Sequence, residues 1–299
     1  GRAFIAHSAN WSSRTGWDSD STPSLVYGKG GHGREGHGNH DAGQVCIDAF
    51  GEDLIVDLGP PKPSYPVCFC WLDRVVYGEG SVRGGIVLMF GGREMRSCAE
   101  CRAEIIGSEF DDESGGWWQG DMAGLYDGAT LVRRTVVHLY PTVVAVLDEA
   151  ELEEPDAISL RWHTADRSEP DRSGRFTVES NGVRLAAMVS RLDGGEVMFA
   201  RREHEHKPPF DRDRYDRPLL QKRESYVEAR CHGRRCWFLS LFCGFGADQP
   251  PSDWQRTGDR WAIEVDGERV ECRVDEHEVV VQNRATGLAW RVSSPVTPP

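Results

Sequence analysis

Apolar and polar residues alternate with period two through most of the chain, and helical periodicity is nearly absent. The alternation predicts strands over 43–50, 54–58, 86–90, 130–139 and 142–148 in the first half. In the second half it predicts 176–178, 183–189, 197–201, 226–229, 237–242, 261–265, 270–274, 279–282 and 288–292. Asn181-Gly182 reads as a tight hairpin turn, and Asp266-Gly267 as part of a slightly longer one. The charged, proline-interrupted stretch 201–223 reads as a long loop. Many short strands without intervening helices indicate an all-β fold, a large antiparallel β-sandwich filling residues 1–294, with a Pro-rich tail at 295–299.

One hairpin has more to say than the rest. The run 44–50, Gln-Val-Cys-Ile-Asp-Ala-Phe, turns at Gly51-Glu52 and returns as Asp53-Leu-Ile-Val-Asp57. A turn with glycine first pairs Ala49 with Leu54, Ile47 with Val56 and Val45 with Leu58, an apolar face for the core. Asp57 then falls on the opposite face with Cys46 and Asp48. Just upstream, His32, His37 and His40 stand within nine residues in a glycine-rich loop. Such a loop has three readings: acid/base chemistry near neutral pH, metal ligation together with Asp57, or a solvated Gly/His loop.

Composition narrows the partners. A chain of 299 residues with 39 % hydrophobic residues and a net charge of −13 is not built for nucleic acid or anionic membranes. No apolar run approaches the roughly 20 residues of a membrane-spanning helix. The nine cysteines include a single Cys98-x-x-Cys101 pair, weak as a zinc or redox motif, and buried free thiols are the preferred reading. The Gly28–Gly38 cluster lacks the Gly-Lys-Ser/Thr that a phosphate loop requires.

The run His37-Gly-Asn39-His-Asp41-Ala-Gly43, followed by a strand, Gly51, Val56-Asp57-Leu-Gly59 and Tyr65, resembles the signature of heparinase II/III-like polysaccharide lyases. Phe4-Ile-Ala-His-Ser-Ala-Asn-Trp11 is similar to that family's entry strand. Trp118-Gln-Gly-Asp121, Tyr126-Asp-Gly128, Arg133-Arg134-Thr-Val-Val-His138 and Val144-Ala-Val-Leu-Asp148 are similar to later parts of it. The resemblance covers residues 3–165 well and the remainder only in strand character. It implies β-elimination on an acidic polysaccharide or oligosaccharide containing uronate, in a periplasmic or secreted setting.

By that resemblance His37 is the catalytic imidazole, and Asn39 and His40 contact substrate. Asn39 and Asp57 correspond to ligands of a structural zinc in members that carry one, although 81–86 lacks the family's further histidine. Arg134 is the expected cleft-facing arginine. Trp118 is the expected sugar-stacking platform, with packing at a domain interface as its alternative. The resemblance also implies a helical α/α toroid, as a preceding domain or a partner chain, which supplies a catalytic tyrosine and one wall of the cleft. Without it, the alternative is a non-catalytic carbohydrate-binding or interaction module of the same fold.

Overall fold

The computed structural model describes residues 3–5, 10–17, 24–29, 31–32, 42–56, 86–93, 95–96, 101–205, 217–218, 223–275 and 278–293. The chain opens with β1 (Ala3–Ile5), β2 (Asn10–Arg14), β3 (Ser24–Lys29), β4 (Gly31–His32), β5 (Val45–Ala49) and β6 (Glu52–Ile55). It continues with β7 (Leu88–Phe90), β8 (Arg102–Asp111), β9 (Gly115–Asp121), β10 (Ala129–Leu139) and β11 (Val143–His163). Then come β12 (Arg175–Ser180), β13 (Val183–Arg191), β14 (Met198–Glu205) and β15 (Arg223–Phe245). The last five are β16 (Gln255–Thr257), β17 (Arg260–Val265), β18 (Glu268–Val274), β19 (Glu278–Asn283) and β20 (Ala289–Ser293). One short 3-10 turn, Ala123–Leu125, is the sole helical element among the described residues.

These strands form three antiparallel sheets. The first has the order β1-β2-β3-β5-β6 and the last β16-β17-β18-β19-β20. Between them lies a ten-stranded sheet, β12-β13-β15-β11-β10-β9-β8-β4, with β14 and β7 attached to β15 and β11. Successive residues of its central strands serve opposite faces. Val136, Val144 and Val146 join Trp11, Val26 and Ile47 in one core. Val137, Val143, Ala145 and Leu147 join Trp261, Ile263 and Val281 in another. The sandwich therefore has three layers, and its middle sheet is covered on both sides. Both faces of 143–147 are therefore buried, a departure from the period-two alternation expected there.

The sequence reading places most strands and misses some. β11 extends well past Asp148, and β15 unites the two strands expected at 226–229 and 237–242. β8 and β9 are additional: β8 is largely solvent-facing, and β9 is rich in glycine, so neither shows clean alternation. The 180–183 hairpin has its expected turn, with Asn181 and Gly182 both at positive φ (46° and 86°). Asp266-Gly267 proves to be a two-residue turn of the same kind, Val265 pairing directly with Glu268. Most of the expected 201–223 loop, and the 295–299 tail, lie outside the described residues.

Candidate functional site

Of the six side chains expected to carry chemistry, His37, Asn39, His40 and Asp57 lie outside the described residues. The described backbone shows how the chain enters and leaves their segments. Gly31–His32 pairs with Ala103 and Arg102 at the edge of the middle sheet. After the histidine loop the chain passes through Ala42 and Gly43 and begins β5 in the first sheet. The loop thus starts on one sheet and ends on the other. Downstream, the amide of Val56, the residue before Asp57, donates to the carbonyl of His163 at 3.0 Å.

Arg134 is where the structure corrects the sequence reading most clearly. It is 1 % exposed, and its guanidinium is fully engaged. Nε and Nη2 form a fork onto Asp148 at 2.6 and 3.1 Å. Nη1 donates to the carbonyls of Gly43 and Ile86, both at 2.6 Å. Instead of facing substrate, Arg134 ties the middle sheet to the exit of the histidine loop and to the point where the chain returns after 57–85. Fork geometry suits arginine to this task, since a lysine ammonium cannot present parallel N–H groups. Gly43 is suited to its own place: its φ is +88°, and a Cβ there would come within 2.2 Å of Met122 Sδ.

Trp118 is likewise interior, 1 % exposed, and its ring stacks on Trp11 at 5.5 Å and 19°. It joins β9 of the middle sheet to β2 of the first, so it offers no face to a sugar. Arg161-Trp162-His163, at the end of β11, is also packed: Trp162 and His163 are fully buried. Trp162 donates to Ser240 Oγ at 3.0 Å.

The hairpin forms, with a different turn. Phe50 and Gly51 carry positive φ (50° and 81°), and Ala49 pairs with Glu52. The two-residue turn is Phe50-Gly51, one position earlier than the sequence suggested. Asp48 then pairs with Asp53, and a bulge places Ile47 opposite Ile55 instead of the expected Val56. The bulge explains why Leu54 and Ile55 are both buried despite being adjacent. Cys46, expected to face outward, is also buried.

This register builds a feature that sequence spacing alone conceals. Arg14, Leu25, Asp48 and Asp53 form one cross-strand row over four strands of the first sheet. They line a cavity of about 240 Å³ together with Gly16, Trp17 and Gly51. The guanidinium of Arg14 lies over the Trp17 ring at 4.4 Å. Burial, with Asp53 as a like-charged neighbour, pushes the Asp48 carboxyl up to about 7 against the opposing charge of Arg14. The row could have been found only by knowing that the turn sits at Phe50-Gly51.

A second polar joint connects the same two layers. His138 on β10 meets Ser24 Oγ at 2.7 Å and Ser13 Oγ at 2.9 Å, through its two ring nitrogens. Burial drives this imidazole down to about 3, so it is neutral over the ordinary pH range. With Tyr140 against its ring at 4.8 Å, it is a structural link between β10, β2 and β3.

Against known proteins, no family model matches the sequence, and neither does any curated protein. Solved structures do match. The heparan sulfate lyase HepC from Pedobacter heparinus superposes with a TM-score of 0.69 at 14 % identity, over 99 % of this chain and 43 % of that one. A structure described as heparinase III superposes at 0.67 and 12 % identity, over 97 % of this chain and 42 % of its own. The chain spans less than half the length of these structures, and over nearly all of its own length it has the heparinase III β-sandwich fold.

Proposed function

We propose that the chain is the β-sandwich half of a polysaccharide lyase that cleaves a uronate-containing acidic polysaccharide by β-elimination. One arrangement carries the reading. The turn at Phe50-Gly51 closes one end of the β5–β6 hairpin, so Gly43 and Val56, the described residues that lead from the histidine run and into Asp57, stand at its open end. Arg134 grips the backbone beside that end at Gly43. A shared, braced end is what a loop needs if it is to present an imidazole with fixed geometry. The likeness in fold to a heparan sulfate lyase supports the substrate class.

In such an elimination a base removes the proton on the carbon next to the uronate carboxylate. That electron pair becomes the C=C bond as the adjacent C–O bond breaks, and an acid protonates the departing oxygen. His37 is assigned to this proton transfer. The Asn39 amide and His40 are assigned to the carboxylate, whose charge must be offset as the enolate-like state develops. The remaining wall, with a catalytic tyrosine, is assigned to an α/α-toroid domain or chain. An amide and one carboxylate, Asn39 and Asp57, make a poor zinc set, which favours nitrogen and sulfur donors. No step is routed through a metal.

The test joins this chain to its helical counterpart and follows the ultraviolet absorbance of the unsaturated uronide. His37→Ala is expected to lower the rate about 10²- to 10⁴-fold. An active complex indifferent to that substitution defeats the assignment. A second reading, a non-catalytic carbohydrate-binding module, draws on the cavity beside Trp17, which is 66 % exposed. It requires saturable oligosaccharide binding that Trp17→Ala abolishes, with no unsaturated product from the joined complex.

A further inference from the structure

The two longest strands, β11 and β15, run side by side, and their pairing breaks once. Glu151 faces Arg235 and Asp156 faces Gly233, so four residues of β11 stand against the single Arg234 of β15. Two cysteines bracket the break on β15: Cys231 opposite Ile158 and Cys236 opposite Ala150. An extended strand would hold residues five apart about 16 Å from each other. Here the strand makes a short excursion around Arg234, the residue without a partner on β11, and the two sulfurs stand 3.1 Å apart.

Both thiols are free and buried, at 7 % and 1 % exposure. Arg191, on neighbouring β13, closes over the excursion: its Nη2 reaches the Arg235 carbonyl at 3.4 Å and is held by Asp193 at 2.7 Å. The other described cysteines outside disulfides are differently placed. Cys46 and Cys272 are on β5 and β18, and Cys243 contacts the Thr142 hydroxyl at 3.7 Å. The mechanism proposed above uses none of them.

We propose that Cys231 and Cys236 are a redox pair that closes to a reversible disulfide across the β15 bulge. The sulfurs need to approach by only about 1 Å to reach bonding distance, roughly 2.05 Å. Cys231 is the attacking sulfur. Its thiol is held below the ordinary value, chiefly because its thiolate accepts a hydrogen bond from Cys236, with the charge of Arg191 adding to the effect. The hydrogen bond with Cys231, with burial adding to it, pushes Cys236 up, which suits it to the resolving role.

Hydrogen peroxide is an oxidant small enough to reach a thiol of this exposure. The Cys231 thiolate attacks one peroxide oxygen and the O–O bond breaks, giving the sulfenic acid and hydroxide. Cys236 then displaces that oxygen, forming the S–S bond and releasing water. In sum two thiols and one peroxide give one disulfide and two waters. A thiol reductant reverses the closure.

The sequence allows a direct readout on the full-length chain. Trypsin cuts after Arg230, Arg234, Arg235 and Arg256, so Cys231 leaves in peptide 231–234 and Cys236 in peptide 236–256. After mild peroxide treatment of the folded protein and alkylation, mass spectrometry is expected to show these two peptides linked, lighter by two hydrogens. Dithiothreitol should release them. The link should persist in Cys243→Ser, which excludes Cys243 as the partner within peptide 236–256, and vanish in Cys236→Ser. Recovery of the two peptides unlinked from oxidised wild type, with one alkylated cysteine in 231–234 and two in 236–256, would overturn the proposal, as would Cys231 advancing to sulfinic acid without a link.

Discussion

Burial moves Asp48 and His138 in opposite directions, and the pH dependence of stability follows from each. Asp48 rises from 3.8 to about 7, so between those values the folded state holds a proton that the unfolded state has released. Stability contributed there falls as pH rises from about 4 to about 7, then levels off. Asp48→Asn removes the penalty. The variant is expected to be more stable than the parent by about 1–2 kcal/mol at pH 8, a figure reduced because the carboxyl keeps some solvent contact. The two should converge near pH 4, as followed by urea unfolding. His138 falls from 6.5 to about 3, so in that window the unfolded state binds the extra proton. Stability is then lost as pH drops below 6.5, by up to about 1.4 kcal/mol per pH unit. His138→Gln should flatten that acid limb in thermal melts; an unchanged slope would show that the imidazole titrates freely in the folded protein.

At the scale of elements, the hairpin shows what was legible in sequence and what was not. The apolar alternation of 45–49 and the glycine at 51 announce two strands and a tight turn. Which two residues make that turn is decided by Phe50 tolerating a φ of 50°, a cost that spacing does not reveal. A one-residue shift of the turn moved the partner of Asp48 to Asp53, and the bulge beyond it only halves the offset, leaving Ile47 opposite Ile55 instead of Val56. The same limit governs Arg134 and Trp118. Both residue types suit a carbohydrate cleft, and only tertiary packing shows that Asp148 and Trp11 already claim them. Arg134→Ala would leave the 1 %-exposed Asp148 carboxylate without its partner and two backbone carbonyls without donors. A loss of about 3–5 kcal/mol in denaturant unfolding is expected. A loss below 1 kcal/mol would mean the clamp is not part of the stable fold.

Across the whole molecule, the middle sheet makes one body of two cores. Val144 and Val146 belong to the core shared with the first sheet, while Val143, Ala145 and Leu147 belong to the core shared with the last. Neither core can lose its order without disturbing strands that complete the other. A single unfolding transition is therefore expected, with calorimetric and van't Hoff enthalpies in agreement. Two resolved transitions would show that the last sheet melts independently. The three-layer plan was only half visible beforehand: period-two strands announced an antiparallel sandwich, and the doubly covered strands gave no sign of how many layers would stack.

Because the Arg134 clamp takes hold of carbonyl oxygens, it is largely blind to which side chains precede Gly43. The clamp itself places no demand on the chemistry of residues 33–41, provided the glycine at 43 is kept. A frame gripped through main-chain oxygens outlasts substitutions that would dismantle one held by side-chain contacts alone.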